Sequence, residues 1–215
     1  MTTLWPWVTL ALLGAFHGIN PGMGWLFAVA LGLQEKKRQA VVKALFPIAL
    51  GHALSIGLVV AFVALAQSLI SPNILNIICS VILLSFGFYK IFRSRHPNWV
   101  GMKVNFWDLT LWSFLMASAH GAGLMLVPIF LKWPMVDHTH HEHMMHVSSS
   151  QFSDSPVVMI SVVGVHTLSM LIVTGLIAII VYEKLGLALL RKTWFNLDLL
   201  WAFALILAGI IALFI

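Results

Sequence analysis

Long apolar runs alternate along this chain with short polar segments. Six of the runs are long enough to cross the hydrocarbon core of a bilayer as a helix, which takes about 20 apolar residues. They cover residues 4–33, 44–70, 73–93, 105–131, 156–182 and 195–215. The pattern therefore predicts an all-α integral membrane protein with six transmembrane helices.

The composition supports this fold class, because 60% of the residues are hydrophobic and only 9% are charged, against about 25% charged in a soluble domain. The first run lacks the basic region and the cleavage site of a secretory signal, so we expect it to remain as a membrane span. The single cysteine, Cys79, excludes an intrachain disulfide and any site built from several cysteines.

The basic residues predict the orientation of the chain. Only Lys132 follows an even-numbered run, and the other eleven lie after the first, third and fifth runs or in the last turn of the third. By the positive-inside rule those segments face the cytoplasm, which places the protein in the cytoplasmic (inner) membrane with both termini outside. The net charge of +5 is then a result of topology and needs no nucleic-acid partner. The expected partners are the lipid bilayer and a small ion or solute, and a homo-oligomer is compatible with this pattern.

The two halves of the chain share short motifs that contain histidine. "AFHG" at 15–18 matches "SAHG" at 118–121, and "GHALS" at 51–55 matches "GVHTLS" at 164–169. Because each half has three spans, the second half would cross the membrane in the opposite sense, as in transporters built from inverted repeats. This predicts two inverted three-helix repeats.

The predicted repeats cover residues 1–103 and 104–215, and the second contains a histidine-rich external loop at 132–155. The first run is also interrupted by Asn20-Pro21-Gly22. Pro21 has no N–H and its ring clashes with the carbonyl of His17, four residues earlier. We therefore predict a broken first helix whose freed polar groups face a protein cavity.

Four histidines lie well inside the apolar runs: His17, His52, His120 and His166. Ionisable residues at membrane depth usually face an interior cavity, so these four and Asn20 are predicted to line a site at the midplane. Ser55 and Ser169, three residues after their histidines, are expected to orient the imidazoles. The alternative is that each histidine is neutral and bonds a neighbouring helix as packing.

Imidazole is the commonest side-chain metal ligand, and nitrogen ligands suit nickel, cobalt, zinc and copper. Methionines near the histidines add sulfur ligands in one interpretation and fill gaps in the core in the other; they are Met23, Met116, Met125, Met159 and Met170. No carboxylate lies deep in a run, so a divalent ion there would have an uncompensated charge. A small anionic or neutral solute remains an alternative substrate.

The external loop at 132–155 is polar and contains five clustered histidines: His138, His140, His141, His143 and His146. Histidine-rich tracts bind transition metals through their composition. We predict an accessory metal-binding loop, and the alternative is a solvated linker.

The motif "HGINPG" at 17–22, the two three-span halves and the histidine-rich loop resemble the lysine-exporter-like superfamily of small membrane transporters. The nickel/cobalt transporters and the urease-accessory-type membrane proteins are the most similar groups within it. The resemblance implies movement of a small ion or solute, often a transition metal. The nickel/cobalt group has His, four residues, then Asp-His in the first helix. Here neither the Asp nor the second His is present, so only His17 carries over.

These features predict a transporter or permease for a transition-metal ion and not an enzyme. The chain has no nucleotide-binding motif, so energy would come from a gradient or a partner subunit. Two alternatives remain open: a membrane redox subunit whose histidines hold haem or copper, and a transporter of a small non-metal solute or anion.

Overall fold

A computed structural model describes residues 4–92, 104–131, 156–185 and 197–214. These ranges contain helices and turns and no strand, which confirms the predicted all-α class. The histidine-rich loop 132–155 lies outside the described residues, so the prediction for its five histidines is untested.

Eight α-helices, two shorter helical turns and their connections make up the described chain. The α-helices are α1 (Trp5–Ile19), α2 (Trp25–Glu35), α3 (Arg38–Gln67), α4 (Pro72–Phe92), α5 (Phe106–Ala119), α6 (Ala122–Leu131), α7 (Pro156–Ile180) and α8 (Leu197–Phe214). A 3-10 turn at Pro21–Met23 separates α1 from α2, and a π-helical turn at Val181–Leu185 follows α7.

Fewer helices meet the length and hydropathy expected of a membrane span than the sequence predicts. Within the described ranges, α3, α4 and α7 are long and apolar enough, and α5 and α6 add a fourth span if the pair, bent by 55°, counts as one. The helices α1, α2 and α8 are apolar but shorter. The structure therefore supports a membrane protein with three to four candidate spans and does not confirm six.

The first apolar run forms two helices because its backbone leaves the helical conformation at Asn20, where the break was predicted. Asn20 is extended, with φ −68° and ψ 121°, and its side-chain oxygen accepts a hydrogen bond of 2.8 Å from the Gly22 N–H. The Trp25 indole donates to the Ile19 carbonyl at 3.0 Å. The polar groups of this end of α1 are thus partly satisfied locally.

The bend between α5 and α6 occurs at a histidine. His120 ends α5, and Gly121 follows with φ +66°, a left-handed conformation that glycine adopts readily. His17 lies three residues before the break between α1 and α2. A buried histidine therefore lies at or beside the break of each interrupted helix.

The helices pack mainly in pairs: α1 on α7, α3 on α5, and α4 on α8, with α3 also contacting α7. Glycines allow the close approaches. A Cβ on Gly14 would clash with the backbone carbonyl of His166, one on Gly18 would lie 2.5 Å from the Met170 carbonyl, and one on Gly51 would clash with the Thr110 carbonyl. Small residues permit such backbone contact between membrane helices.

We expect Gly14→Ala to lower the apparent melting temperature in detergent, because the added methyl meets backbone that cannot rotate away. Overpacking of this kind costs about 1–3 kcal/mol. Gly164→Ala on α7 is the control, since its Cβ would meet nothing within 4 Å and alanine favours helix. Equal melting temperatures for the two variants would show that α1 and α7 are not in close contact.

Candidate functional site

Three of the four histidines converge from three helices. His17 on α1, His52 on α3 and His166 on α7 are each 0% exposed. The ring centroids lie 5.0 Å apart for His17 and His166, 5.5 Å for His52 and His166, and 5.7 Å for His17 and His52. We call these three side chains the imidazole trio.

A backbone carbonyl fixes the tautomer of His17. Its Nδ1 lies 2.8 Å from the Leu13 carbonyl oxygen, and because a carbonyl only accepts hydrogen bonds, Nδ1 is the donor. In the neutral ring Nε2 therefore keeps its lone pair, and this atom is buried without a hydrogen-bond partner. Histidines that bind metals typically donate their other N–H to a carbonyl or carboxylate in this way.

The ring nitrogens of the other two members of the trio, His52 and His166, make no hydrogen bond of normal geometry. Both nitrogens of His52 and both of His166 are buried without a hydrogen-bond partner, although the His166 ring also interacts with the backbone at Leu10. The two rings are nearly parallel, with 5° between their planes. An unsatisfied buried polar group lowers the stability of the folded protein by about 1–3 kcal/mol. Such groups in a native structure call for an explanation, and a ligand or a functional role is one.

The fourth histidine, His120, is 3% exposed and its Nδ1 donates to the Met116 carbonyl at 2.7 Å. Its ring packs against Trp201, with 5.3 Å between centroids. The same indole packs against His17, with 4.6 Å between centroids. His120 therefore belongs to the same buried region as the trio.

Trp201 on α8 is the site residue that the sequence analysis missed. The indole is 1% exposed, and its ring centroid lies 4.6 Å from that of His17 and 4.7 Å from that of Phe16. Its position inside the last apolar run could have identified it, because tryptophans of membrane proteins concentrate at the interfaces and one inside a span is unusual. Thr167, beside His166, was missed too, and its hydroxyl is buried without a partner.

Asn20 lies at the edge of this region. Its amide nitrogen is buried without a hydrogen-bond partner, so it retains a donor. Gly22, in the same break, faces His120 and Met116, since a Cβ at this position would lie 3.7 Å from the His120 ring and 3.0 Å from the Met116 methyl. The break of the first helix and the bend at His120 thus adjoin each other.

The two serines do not act on the imidazoles as predicted. Ser118 donates to the Phe114 carbonyl, so the 2.9 Å contact between the Ser55 and Ser118 hydroxyls requires Ser55 to be the donor. Ser55 therefore links α3 to α5, and the prediction that it orients His52 is wrong. Ser169 lies against Gly14, at the contact between α7 and α1.

Four of the five methionines pack in or against apolar clusters, as the alternative interpretation holds, and Met116 lies beside Gly22. Met23 and Met125 belong to the cluster around Trp201, and Met170 to the cluster around Trp25. Met159 packs against a third cluster, around Leu126. The Met170 sulfur accepts a hydrogen bond of 3.2 Å from Thr174. These contacts are typical of methionine that fills gaps.

Within the ranges that the structure describes, no group of three or more His, Cys, Asp or Glu side chains is arranged to hold a metal ion. The trio has the residue type but does not meet the geometry of such a group in the described conformation. The metal-ligand role of the four buried histidines accordingly stays a prediction.

Comparisons with known proteins give no relative: no family model matches the chain, and neither a curated protein nor a solved structure shows significant similarity to it.

We expect His52→Leu to raise the apparent melting temperature, because it removes two buried nitrogens that have no partner and keeps an apolar side chain in their place. The matched control is Ser113→Ala, which removes a buried hydroxyl that donates to the Ile48 carbonyl at 2.6 Å and should cost about 1 kcal/mol. If His52→Leu destabilises the protein as much as the control, the imidazole is a structural group.

Proposed function

We propose that the protein is a membrane transporter or permease for a transition-metal ion, and that the trio, His120 and Asn20 line its substrate site. The observation that carries this proposal is the burial of three imidazoles from three helices with ring nitrogens left unpaired. Proteins retain such destabilising groups where function requires them.

The spacing of the trio supports a metal substrate. Metal–nitrogen bonds of about 2.0–2.1 Å hold the ring centroids of imidazoles on one ion about 5 Å apart, and the three observed separations are 5.0, 5.5 and 5.7 Å. Rotation of His52 and His166 about their side-chain bonds would direct their nitrogens toward the unpaired Nε2 of His17. Nickel, cobalt, zinc and copper all accept such ligands.

The packing pattern supports the inverted three-helix repeats at 1–103 and 104–215. If the first, second and third apolar runs correspond to the fourth, fifth and sixth, the contact of α1 with α7 corresponds to that of α5 with α3. These two helix pairs have the most extensive packing beside the α4–α8 pair, which corresponds to itself. In inverted-repeat transporters the substrate lies between the repeats, and the trio combines His17 and His52 from the first half of the chain with His166 from the second.

One ion pair supports the proposed orientation. Arg38, at the start of α3, lies 3.3 Å from Glu183 in the π-helical turn after α7, and both side chains are largely exposed. An exposed pair adds little stability, but it brings two basic segments to the same side of the molecule. We assign that side to the cytoplasm and both termini to the outside, where the histidine-rich loop 132–155 would act as an accessory chelator.

A second candidate is transport of a small polar solute or anion. The carboxylates with described side chains, Glu35, Asp108 and Glu183, belong to helix ends or to the turn after α7, so no negative charge there offsets a divalent ion. The Asn20 amide offers a donor and His17 Nε2 an acceptor, which suits hydrogen bonding to a solute. Neighbouring ring centroids of the buried imidazoles and Trp201 are 4.6–5.7 Å apart, a spacing that favours a small substrate over a haem.

Isothermal titration of the purified protein with Ni²⁺, Co²⁺, Zn²⁺ and Cu⁺ tests the proposal. We expect a protein lacking residues 137–146 to retain one class of sites. Adding His17→Ala or His166→Ala should weaken that class at least tenfold, because each removes one of three ligands. Uptake of the bound ion into proteoliposomes should fall with the same variants.

Two controls complete this test. Gly164→Ala, which changes no polar group, should bind as the parent protein does. If the His17→Ala variant binds metal with full affinity, the metal site is rejected. If that variant loses uptake of an anion or solute while its metal content is unchanged, the second candidate is favoured.

A further inference from the structure

The imidazole site is closed on all sides in the described conformation. None of the four buried histidines is more than 3% exposed. A substrate that binds the unpaired ring nitrogens of the trio therefore reaches them only after some packed group moves away. The structure identifies which group is best placed to do so.

Trp201 touches both interrupted helices. Its ring centroid lies 4.6 Å from that of His17, on the first of them, and 5.3 Å from that of His120, at the bend of the second. Its own helix, α8, carries no histidine. The indole thus covers imidazoles from both halves of the chain without being attached to either of their helices.

The helix that carries Trp201 forms a unit with α4. A Cβ on Gly87 of α4 would lie 2.7 Å from Ile206 of α8, and one on Gly209 of α8 would lie 2.9 Å from Leu84 of α4. Asn76 of α4 also donates to the Ala212 carbonyl at 2.7 Å. Among the described helices, α8 packs mainly on α4 and much less on α6. The α4–α8 unit therefore has a tight internal contact and smaller ones with the other described helices, chiefly α6.

We propose that Trp201 is the residue that occludes the imidazole site, and that displacement of the α4–α8 unit withdraws the indole and admits the substrate. This inference rests on the proposed function, because it concerns access to the same site. Motion of packed units against each other is a common way of opening a membrane transport site. In this scheme Trp201 controls access to the site and forms no bond to the substrate.

Thiol labelling tests the proposal without any metal. In a Cys79→Ser background, His17→Cys and His120→Cys each provide one reactive group in the site, and an impermeant, positively charged methanethiosulfonate is the probe. We expect Trp201→Ala to raise the labelling rate of both cysteines at least tenfold. Trp201→Leu, which fills more of the space and is the less disruptive variant, should raise it by a smaller factor, and Trp201→Phe should leave it near the parent rate.

Leu126→Ala is the control for general loosening, since Leu126 is fully buried in a core cluster that contains no histidine. Unchanged labelling in both Trp201→Ala and Trp201→Leu, or an equal rise in Leu126→Ala, would overturn the proposal. The labelling and the metal titration fail separately. If the labelling rate depends on Trp201 but the protein binds no metal, the metal substrate is rejected and the occluding role of Trp201 stands. If the protein binds metal but the labelling rate does not depend on Trp201, the occluding role is rejected.

Discussion

Inside an apolar protein core a ring nitrogen loses its water, and the fold must replace those hydrogen bonds or bear the loss. This constraint explains most of the polar contacts described here. Thr174 bonds the Gly18 carbonyl, Ser113 the Ile48 carbonyl and Ser55 the Ser118 hydroxyl. The imidazole trio is the exception, because its three rings are buried side by side and most of their nitrogens have no hydrogen-bond partner. The rest of the structure supplies the stability that the trio takes away.

Each of the two interrupted helices carries one of the buried histidines at or near its break. Helix α1 stops beside His17 and α5 stops at His120, so neither ring lies in the middle of an unbroken helix. In both cases the ring donates to the carbonyl four residues earlier, Leu13 or Met116. The donor nitrogen is thus occupied by the helix itself, and the second nitrogen is directed away from its own backbone. His17, whose Nε2 is buried without a partner, therefore presents a lone pair in a defined direction, which a freely rotating histidine would not.

The sequence was sufficient for the all-α class, for the break at Asn20 and for which histidines are buried, because each depends on local chemistry. A proline that lacks an N–H and a run of apolar residues act wherever they occur. It was not sufficient for Trp201, since a tryptophan in an apolar run says nothing about which helix it faces. It also failed for Ser55, because a hydroxyl three residues after a histidine lies on the same helix face but bonds whichever acceptor the neighbouring helix provides. Tertiary contacts between α3 and α5 decided that outcome.

The contact of Gly14 with α7 has a mechanical consequence. The atom that any side chain at Gly14 would strike is the carbonyl oxygen of His166 itself, so the backbone of one trio member supports the helix turn that carries another. Because Gly14 has no side chain, the backbones of α1 and α7 lie in direct contact at this point. The backbones that carry His17 and His166 are consequently held together, and a rearrangement of the trio has to come from rotation of its side chains or from movement of His52 with α3.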